Sequence, residues 1–279
     1  MNYSPLRYPG GKARIAPMIH ELIKNTSPKI SIYCEPFCGG AGVALYLLIN
    51  NLVDYIEIND FDCAIYSFWR AVLYDTDELI SLIESTSVTV DEWQKQKNIY
   101  LNSTTYSIQY AFATLFLNRT NRSGILSAGP IGGYKQEGEW KIDARFNKTE
   151  IIKRISNIST YKNRVKISNM DIRKYISIHN FNEKYFIYFD PPYVNNANRL
   201  YKNSLVIKDH IEIASAIKSI DNAKWIITYD NIEIIHSIYS DYHISQFSIQ
   251  YSAANKKTEK ELLIFKDISM CDSIQNYLL

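Results

Sequence analysis

Short apolar runs recur along this chain, and most are followed by a stretch with helical spacing. Candidate strands fall at residues 30–35, 55–59, 165–168, 185–189, 224–228, 242–249 and 261–265. Candidate helices follow at 42–50, 63–73, 172–178, 208–219 and 232–239. A chain patterned this way buries its strands in a mostly parallel sheet flanked by helices, an α/β fold. The last two strands have no helix between them, only a polar, lysine-rich loop. They are expected to form a C-terminal antiparallel hairpin at one end of the sheet.

About a hundred residues separate the second strand from the third, too many for a simple crossover. They hold helical pieces and then a Gly-rich stretch from Gly129 to Gly138. Residues 64–164 are therefore expected to contain an inserted, mainly helical lobe, with 1–63 and 165–279 forming the domain that carries the sheet.

With 279 residues and 46% hydrophobic content, the chain can bury a full core and a smaller lobe beside it. No apolar run approaches the roughly 18 residues needed to cross a bilayer. Residues 1–9 lack the apolar stretch of a signal peptide, so a cytoplasmic location is expected. The net charge of +2 neither demands nor excludes nucleic acid, which needs only a local basic face. Local basic groups occur at Arg119 with Arg122, Arg145 with Lys148, Lys162 with Arg164 and Lys166, and Lys256 with Lys257 and Lys260. The four cysteines form no CxxC pair and have no companion histidines at metal spacing, so no metal site is expected.

Three strand exits carry chemistry. The first leads through Glu35-Pro36-Phe37-Cys38-Gly39-Gly40-Ala41-Gly42 into an apolar helix. Such a turn lets backbone approach a ligand closely and presents the unpaired N–H groups of a helix N-terminus. The second strand ends in Asn59-Asp60, where a carboxylate can accept from both hydroxyls of a ribose. The third exit is Asp190-Pro191-Pro192-Tyr193, at the end of the most apolar strand. That tetrapeptide suits an exocyclic amine such as adenine N6, whose lone pair is delocalised into the ring. Asp190 and the Pro191 carbonyl offer two acceptors that draw the amine hydrogens aside. Pro192 biases Pro191 toward an extended conformation, and Tyr193 supplies a ring for an extruded base.

In this order the motifs resemble the DNA adenine methylase (Dam) family of N6-adenine methyltransferases, over nearly the whole chain. The set begins with Leu6-Arg7-Tyr8-Pro9-Gly10-Gly11-Lys12. It continues through the Glu35-Pro36-Phe37 turn, Asp60, Asn118-Arg119-Thr120-Asn121-Arg122-Ser123-Gly124, Arg145-Phe146-Asn147-Lys148 and the Asp-Pro-Pro-Tyr element. The resemblance implies a Rossmann-like methyltransferase sheet, S-adenosylmethionine as methyl donor with S-adenosylhomocysteine as product, and double-stranded DNA as partner. It implies that Tyr8 and Lys12 contact the cofactor, that Asp60 holds its ribose, and that Asp190 lies between cofactor and target amine. The insert then corresponds to the target-recognition region, with GATC the default site. One departure is visible: alanine, Ala41, stands in the second glycine slot of the turn.

A base inside a duplex must be flipped out before it can be methylated. Arg119, Arg122, Arg145, Lys256 and Lys257 are the candidate DNA contacts, and residues 125–140 a hairpin or loop able to enter a groove. Residues 194–203 are read as a lid over the flipped base. Three alternatives stay open: cytosine N4 or a protein glutamine as acceptor, or a catalytically silent DNA-binding homologue. Asp rather than Ser or Asn at position 190, together with the insert, favours adenine. The intact set of motif residues favours an active enzyme, either standing alone or paired with a restriction or defence protein.

Overall fold

In the computed structural model, which describes residues 3–7, 12–194, 205–251 and 257–279, seven strands form one sheet. They are Ile32–Glu35 (β1), Tyr55–Asn59 (β2), Val165–Ser168 (β3), Tyr185–Phe189 (β4), Lys224–Asp230 (β5), His243–Tyr251 (β6) and Lys257–Phe265 (β7). The spatial order is β3-β2-β1-β4-β5-β7-β6; β1 to β5 pair in parallel, and β7 runs antiparallel to both β5 and β6. The expected mostly parallel sheet with a terminal hairpin is what the chain forms.

The central strands read as continuous apolar runs because both faces are covered. Tyr33, Phe186, Tyr188, Ile226 and Leu263 face one helical layer, while Cys34, Ile187, Phe189, Trp225 and Leu262 face the other. The first layer holds Ala16–Lys24 (α1), Gly42–Ile49 (α2) and Cys63–Tyr74 (α3). Behind α3 come Thr76–Ser85 (α4), Val90–Asn102 (α5), Ile108–Thr120 (α6) and Lys148–Ser159 (α7). The second layer holds Ile172–Ile178 (α8), Ile207–Lys218 (α9) and Glu233–Ile238 (α10). Polar N-caps start most helices of the 64–164 region, as the sequence order of Ser, Thr, Asp and Asn dictates. Asp62 accepts from Ala64 N–H at 2.9 Å, Thr89 from Glu92 at 3.1 Å, Ser107 from Tyr110 at 3.1 Å and Asn147 from Glu150 at 3.0 Å. The buried residues of these helices join α1, α2 and one face of the sheet in a single apolar cluster.

Two features of the sheet position the site. Strand β1 pairs with β2 on one side and β4 on the other, so the chain order reverses between β1 and β4. Loops leaving the carboxyl ends of those strands diverge, and a crevice opens there. Both the Gly-rich turn and Asp190 leave from this point. The second feature is the length of the β6–β7 ribbon. Its last pairing with β5 is Asp230 to Glu261, whereas β6 and β7 stay paired out to Tyr251 and Lys257. Residues 257–260 thus overshoot the sheet by about 13 Å at the edge where β4 and β5 end. The apolar alternation fades along this overshoot, which is why the sequence placed the start of the strand only at Glu261.

Helix α1 had no counterpart among the expected helices. Its first turn carries Pro17, which reads as a breaker although proline is well tolerated there. A short 3-10 turn, Lys12–Ile15, leads into it and packs on α2. The contact is close enough that a Cβ on Gly42 would lie 2.9 Å from Ala13 Cβ. No helix among the described residues is long and apolar enough to cross a membrane.

Gly42→Ala is therefore expected to cost about 1–3 kcal/mol, because the Lys12–Ile15 turn must shift to admit the methyl group. Urea denaturation of the variant checks this, and an unchanged midpoint would contradict the tight contact.

Candidate active site

Asp190 stands at the carboxyl end of β4 with 23% of its side chain exposed. The Thr228 hydroxyl, on the neighbouring strand β5, donates to Asp190 Oδ1 at 2.7 Å, and Tyr188 meets the same hydroxyl at 2.8 Å. Lys12 Nζ lies 3.6 Å from Asp190 Oδ1 and donates to Glu261 Oε2 at 2.6 Å. It also donates to the Tyr193 hydroxyl and sits 4.8 Å from the centre of that ring. Burial raises the Asp190 carboxyl above the usual carboxylate range, while the Lys12 charge and the Thr228 hydrogen bond pull it back down. Of the catalytic candidates, Asp190, Tyr193 and Lys12 thus converge in one network, with Pro191 buried and Pro192 part-buried beside them. Thr228 and Glu261 complete the network and were not singled out in the sequence. A threonine ending a strand and a glutamate opening one look like ordinary edge residues.

The second cluster joins the ends of β1 and β2. Asp60 Oδ2 accepts from Gly39 N–H at 2.9 Å and Oδ1 from Asp62 N–H at 2.9 Å. Burial and the nearby Asp62 push the Asp60 carboxyl up to about 7. Asn59 braces the turn by donating to the Pro36 and Met170 carbonyls at 3.0 Å each, and the Trp69 indole donates to Gly39 O at 2.8 Å. Left-handed backbone falls on Gly39 (φ 43°) and on Ala41 (φ 47°), so the alanine in the glycine slot adopts the glycine's conformation. Glu35 points into α2, where its Oε2 accepts from Ala44 N–H at 3.1 Å. It caps that helix from the end of the preceding strand. Phe37 packs with the cluster on the opposite face of the sheet, and Gly40 is buried within the turn. Phe61, directly after Asp60, is 54% exposed, an apolar ring beside a carboxylate that the sequence reading passed over. Together these groups offer a cradle for a nucleoside: an acceptor for paired hydroxyls, a ring platform and a Gly-turn backbone that permits close approach.

The third cluster lies at the carboxyl end of α6. Asn118 Oδ1 accepts from Arg7 N–H at 2.7 Å, and its amide donates to the Arg7 and Gly124 carbonyls at 2.8 and 3.0 Å. The amide of Asn121 donates to Ile125 O at 2.8 Å and to Leu126 O at 3.1 Å, while its Oδ1 accepts from the Trp93 indole at 2.6 Å. Gly124 takes φ 77°, and a Cβ there would lie 2.4 Å from Arg7 O. The two asparagines and the glycine of this motif are scaffolding, which leaves its arginines to carry charge. Arg122 is exposed; Arg119 is part-buried, with its Nη1 at 3.5 Å from the Arg145 carbonyl. Arg119 Nε has no hydrogen-bond partner among the described residues. Burial and the neighbouring Arg154 and Arg7 push the Arg119 guanidinium down to about 10. Residues 125–140 form a turn-rich loop with one isolated bridge, Asn121 to Pro130, and exposed rings at Tyr134 and Trp140. Arg145 lies 5.9 Å from the Trp140 ring. Arg7 and Lys12 are five positions apart in sequence, so this basic cluster is at most about 17 Å of chain from the Asp190 network.

Tyr8, Lys256 and most of the 194–203 lid lie outside the described residues, and Lys257 is described only as the first residue of β7.

Residues 8–254 match the sequence profile of a family described as D12 class N6 adenine-specific DNA methyltransferase. The Type II methyltransferase M.MjaIII of Methanocaldococcus jannaschii is 24% identical over 267 residues, covering 86% of this chain and 89% of that protein. The Type II methyltransferase M1.LlaDCHI of Lactococcus lactis subsp. cremoris is 21% identical over 278 residues, covering 91% of this chain and 90% of that one.

Burial lifts the Glu35 carboxyl to about 8, against the lowering effect of the Ala44 hydrogen bond. The folded protein thus holds this proton more tightly than the unfolded chain, and stability falls as pH rises from about 4.5 to 8. Glu35→Gln keeps an acceptor for Ala44 and removes the titration. Its unfolding free energy should match the parent near pH 5 and exceed it at pH 8 by on the order of a few kcal/mol. Urea titrations across that pH series test the point, and parallel curves for the two proteins would refute it.

Proposed function

The chain belongs to the D12 class of N6 adenine-specific DNA methyltransferases, and on that premise we propose how its residues carry the reaction. S-adenosylmethionine supplies a methyl group on a sulfonium and departs as S-adenosylhomocysteine. The adenine amine is a weak nucleophile until its hydrogens are drawn out of the ring plane. Asp190 takes one hydrogen and the Pro191 carbonyl the other, which frees the nitrogen lone pair. That lone pair would then be free to take the methyl group, while the bonding electrons would stay with the donor's sulfur. The nitrogen then sheds a proton to Asp190, whose raised affinity for protons suits it to the role. Thr228 and Lys12 hold the carboxylate in place throughout.

Asp60 would receive the ribose hydroxyls, the exposed Phe61 would offer the cofactor's base a ring, and the Gly39-Gly40 turn would admit the remainder. Glu35 shapes that turn by capping α2, and Phe37 buttresses it from the far face. Tyr8 and Lys12 contribute through the N-terminal motif. The donor set fits the cofactor, since a carboxylate, an exposed ring and a glycine turn meet at the switch point of the sheet.

Duplex DNA is the substrate, with the target adenine flipped at a cost of roughly a few kcal/mol and stacked on Tyr193. Arg119, Arg122 and Arg145 offset that cost through phosphates, and the exposure of Arg122 supports this reading. Arg7, quoted in the N-terminal motif but not among the candidate DNA contacts, joins the same cluster. Lys257 opens β7 at the overshooting end of the β6–β7 ribbon, on the same edge as Asp190, a placement that suits a phosphate grip for it and for its sequence neighbour Lys256. Both relatives are Type II methyltransferases, which supports a role for this chain as the modifying partner of a restriction enzyme, acting in the cytoplasm on the nucleoid.

The observation that carries the mechanism is Asp190, part-exposed at the switch point and braced by both Thr228 and Lys12. Asp190→Ala should lower methyl transfer by roughly 10²–10⁴ with an unchanged melting profile. Nucleoside digestion and mass spectrometry of treated DNA give the readout. N6-methyladenine formed by the variant at the parent's rate removes Asp190 from the mechanism, and N4-methylcytosine in its place contradicts the acceptor.

A further inference from the structure

The Lys12 ammonium is not shared equally between its two carboxylates. It is 2.6 Å from Glu261 and 3.6 Å from Asp190. The pair with Glu261 is buried, with side chains 5% and 2% exposed. A buried ion pair is costly to desolvate, and an apolar pair of equal volume is often no less stable. Its presence here calls for a reason other than stability. The three groups come from distant segments: the Lys12–Ile15 turn, the end of β4 and the point where β7 passes Asp230. With a neutral side chain at position 261 the ammonium is drawn closer to Asp190, and a tighter ion pair would weaken that carboxylate as an acceptor for the amine hydrogen. Tyr193 belongs to the same arrangement, because it takes a hydrogen from Lys12 and its own hydroxyl proton has both carboxylates within reach.

We propose that Glu261 is a positioning residue for methyl transfer: it anchors the Lys12 ammonium so that the charge stands beside Asp190 without closing on it. This rests on Asp190 being the amine acceptor. Glu261 touches no reacting atom and acts through Lys12. Its placement also gives the antiparallel strand a task that a sixth parallel strand could not perform. Running backward, β7 passes the end of β5 at its midpoint, which sets the Glu261 side chain beside Asp190 and Lys12.

Glu261→Gln in the full chain is the test, with a long unmethylated duplex and S-adenosylmethionine as substrates. The variant should melt as the parent does, and kcat should fall at least tenfold while KM for DNA stays within about threefold. The acidic limb of the kcat profile should move to lower pH, since Lys12 then pairs with Asp190 and the like charge of Glu261 is gone. The other ionisable groups around Asp190, namely Tyr33, Glu35, Tyr188, Tyr193 and Tyr229, are the same in both proteins. An unchanged kcat, or a lower kcat with the acidic limb in place, overturns the proposal. If Glu261→Gln does not fold, the double variant Lys12→Met with Glu261→Gln decides, because it removes both members of the buried pair. Its activity should equal that of Lys12→Met within twofold, and a further tenfold loss would show Glu261 acting on its own. Asp190→Ala, run alongside, separates the two ideas. If it abolishes transfer while Glu261→Gln is silent, only the role of Glu261 falls. If it retains activity, the acceptor assignment falls first.

Discussion

One ammonium group ties the catalytic machinery together. Lys12 arrives from the start of the chain, Asp190 from its middle and Glu261 from near its end, and the three meet only because the sheet brings β4, β5 and β7 side by side. Charges buried this deeply need partners of opposite sign or they are neutralised. The position of each is therefore set by the other two more than by its own strand. The Gly-rich turn, Asp60 and the capped start of α2 form a second assembly across the switch point, held by backbone hydrogen bonds. In the mechanism proposed above the first assembly handles the amine and the second the methyl donor, and the reversal of strand order between β1 and β4 brings both to one end of the sheet.

Much of the sheet was legible before any coordinates. Residues 185–189 form a strand as read, since five consecutive apolar or aromatic side chains can be buried only where both faces are covered. The terminal hairpin was equally legible from the absence of a helix between its strands. Other parts were hidden for identifiable reasons. Helix α1 was masked by a proline in its first turn, and the early part of β7 by the loss of alternation where the ribbon leaves the sheet. Residues 125–140 proved to be a turn-rich loop with a single bridge, because glycines at φ near 80° break any ladder that might have formed.

Site residues divide along similar lines. Asp190 and Asp60 announced themselves through motifs at strand ends, and Lys12 through the N-terminal motif of the family resemblance. Glu261 and Thr228 did not, because their partners lie 249 and 38 positions away and nothing local marks the pairing. In the Asn118–Gly124 motif the sequence could not separate scaffold from charge. The structure divides it by hydrogen bonding: Asn118 and Asn121 spend their amides on backbone, and Arg122 stays exposed. Glu35 was read as a cofactor ligand, and the structure shows it engaged with the first turn of α2.

The opening residues of the chain bear on both halves of the molecule. Arg7 is stitched through its main chain to the end of α6, and Lys12 reaches Asp190 and Glu261. Five positions of sequence separate the two. A change among these few residues therefore bears on the helical region and on the carboxylate network at once, and a leading segment that elsewhere could be altered freely is here built into both.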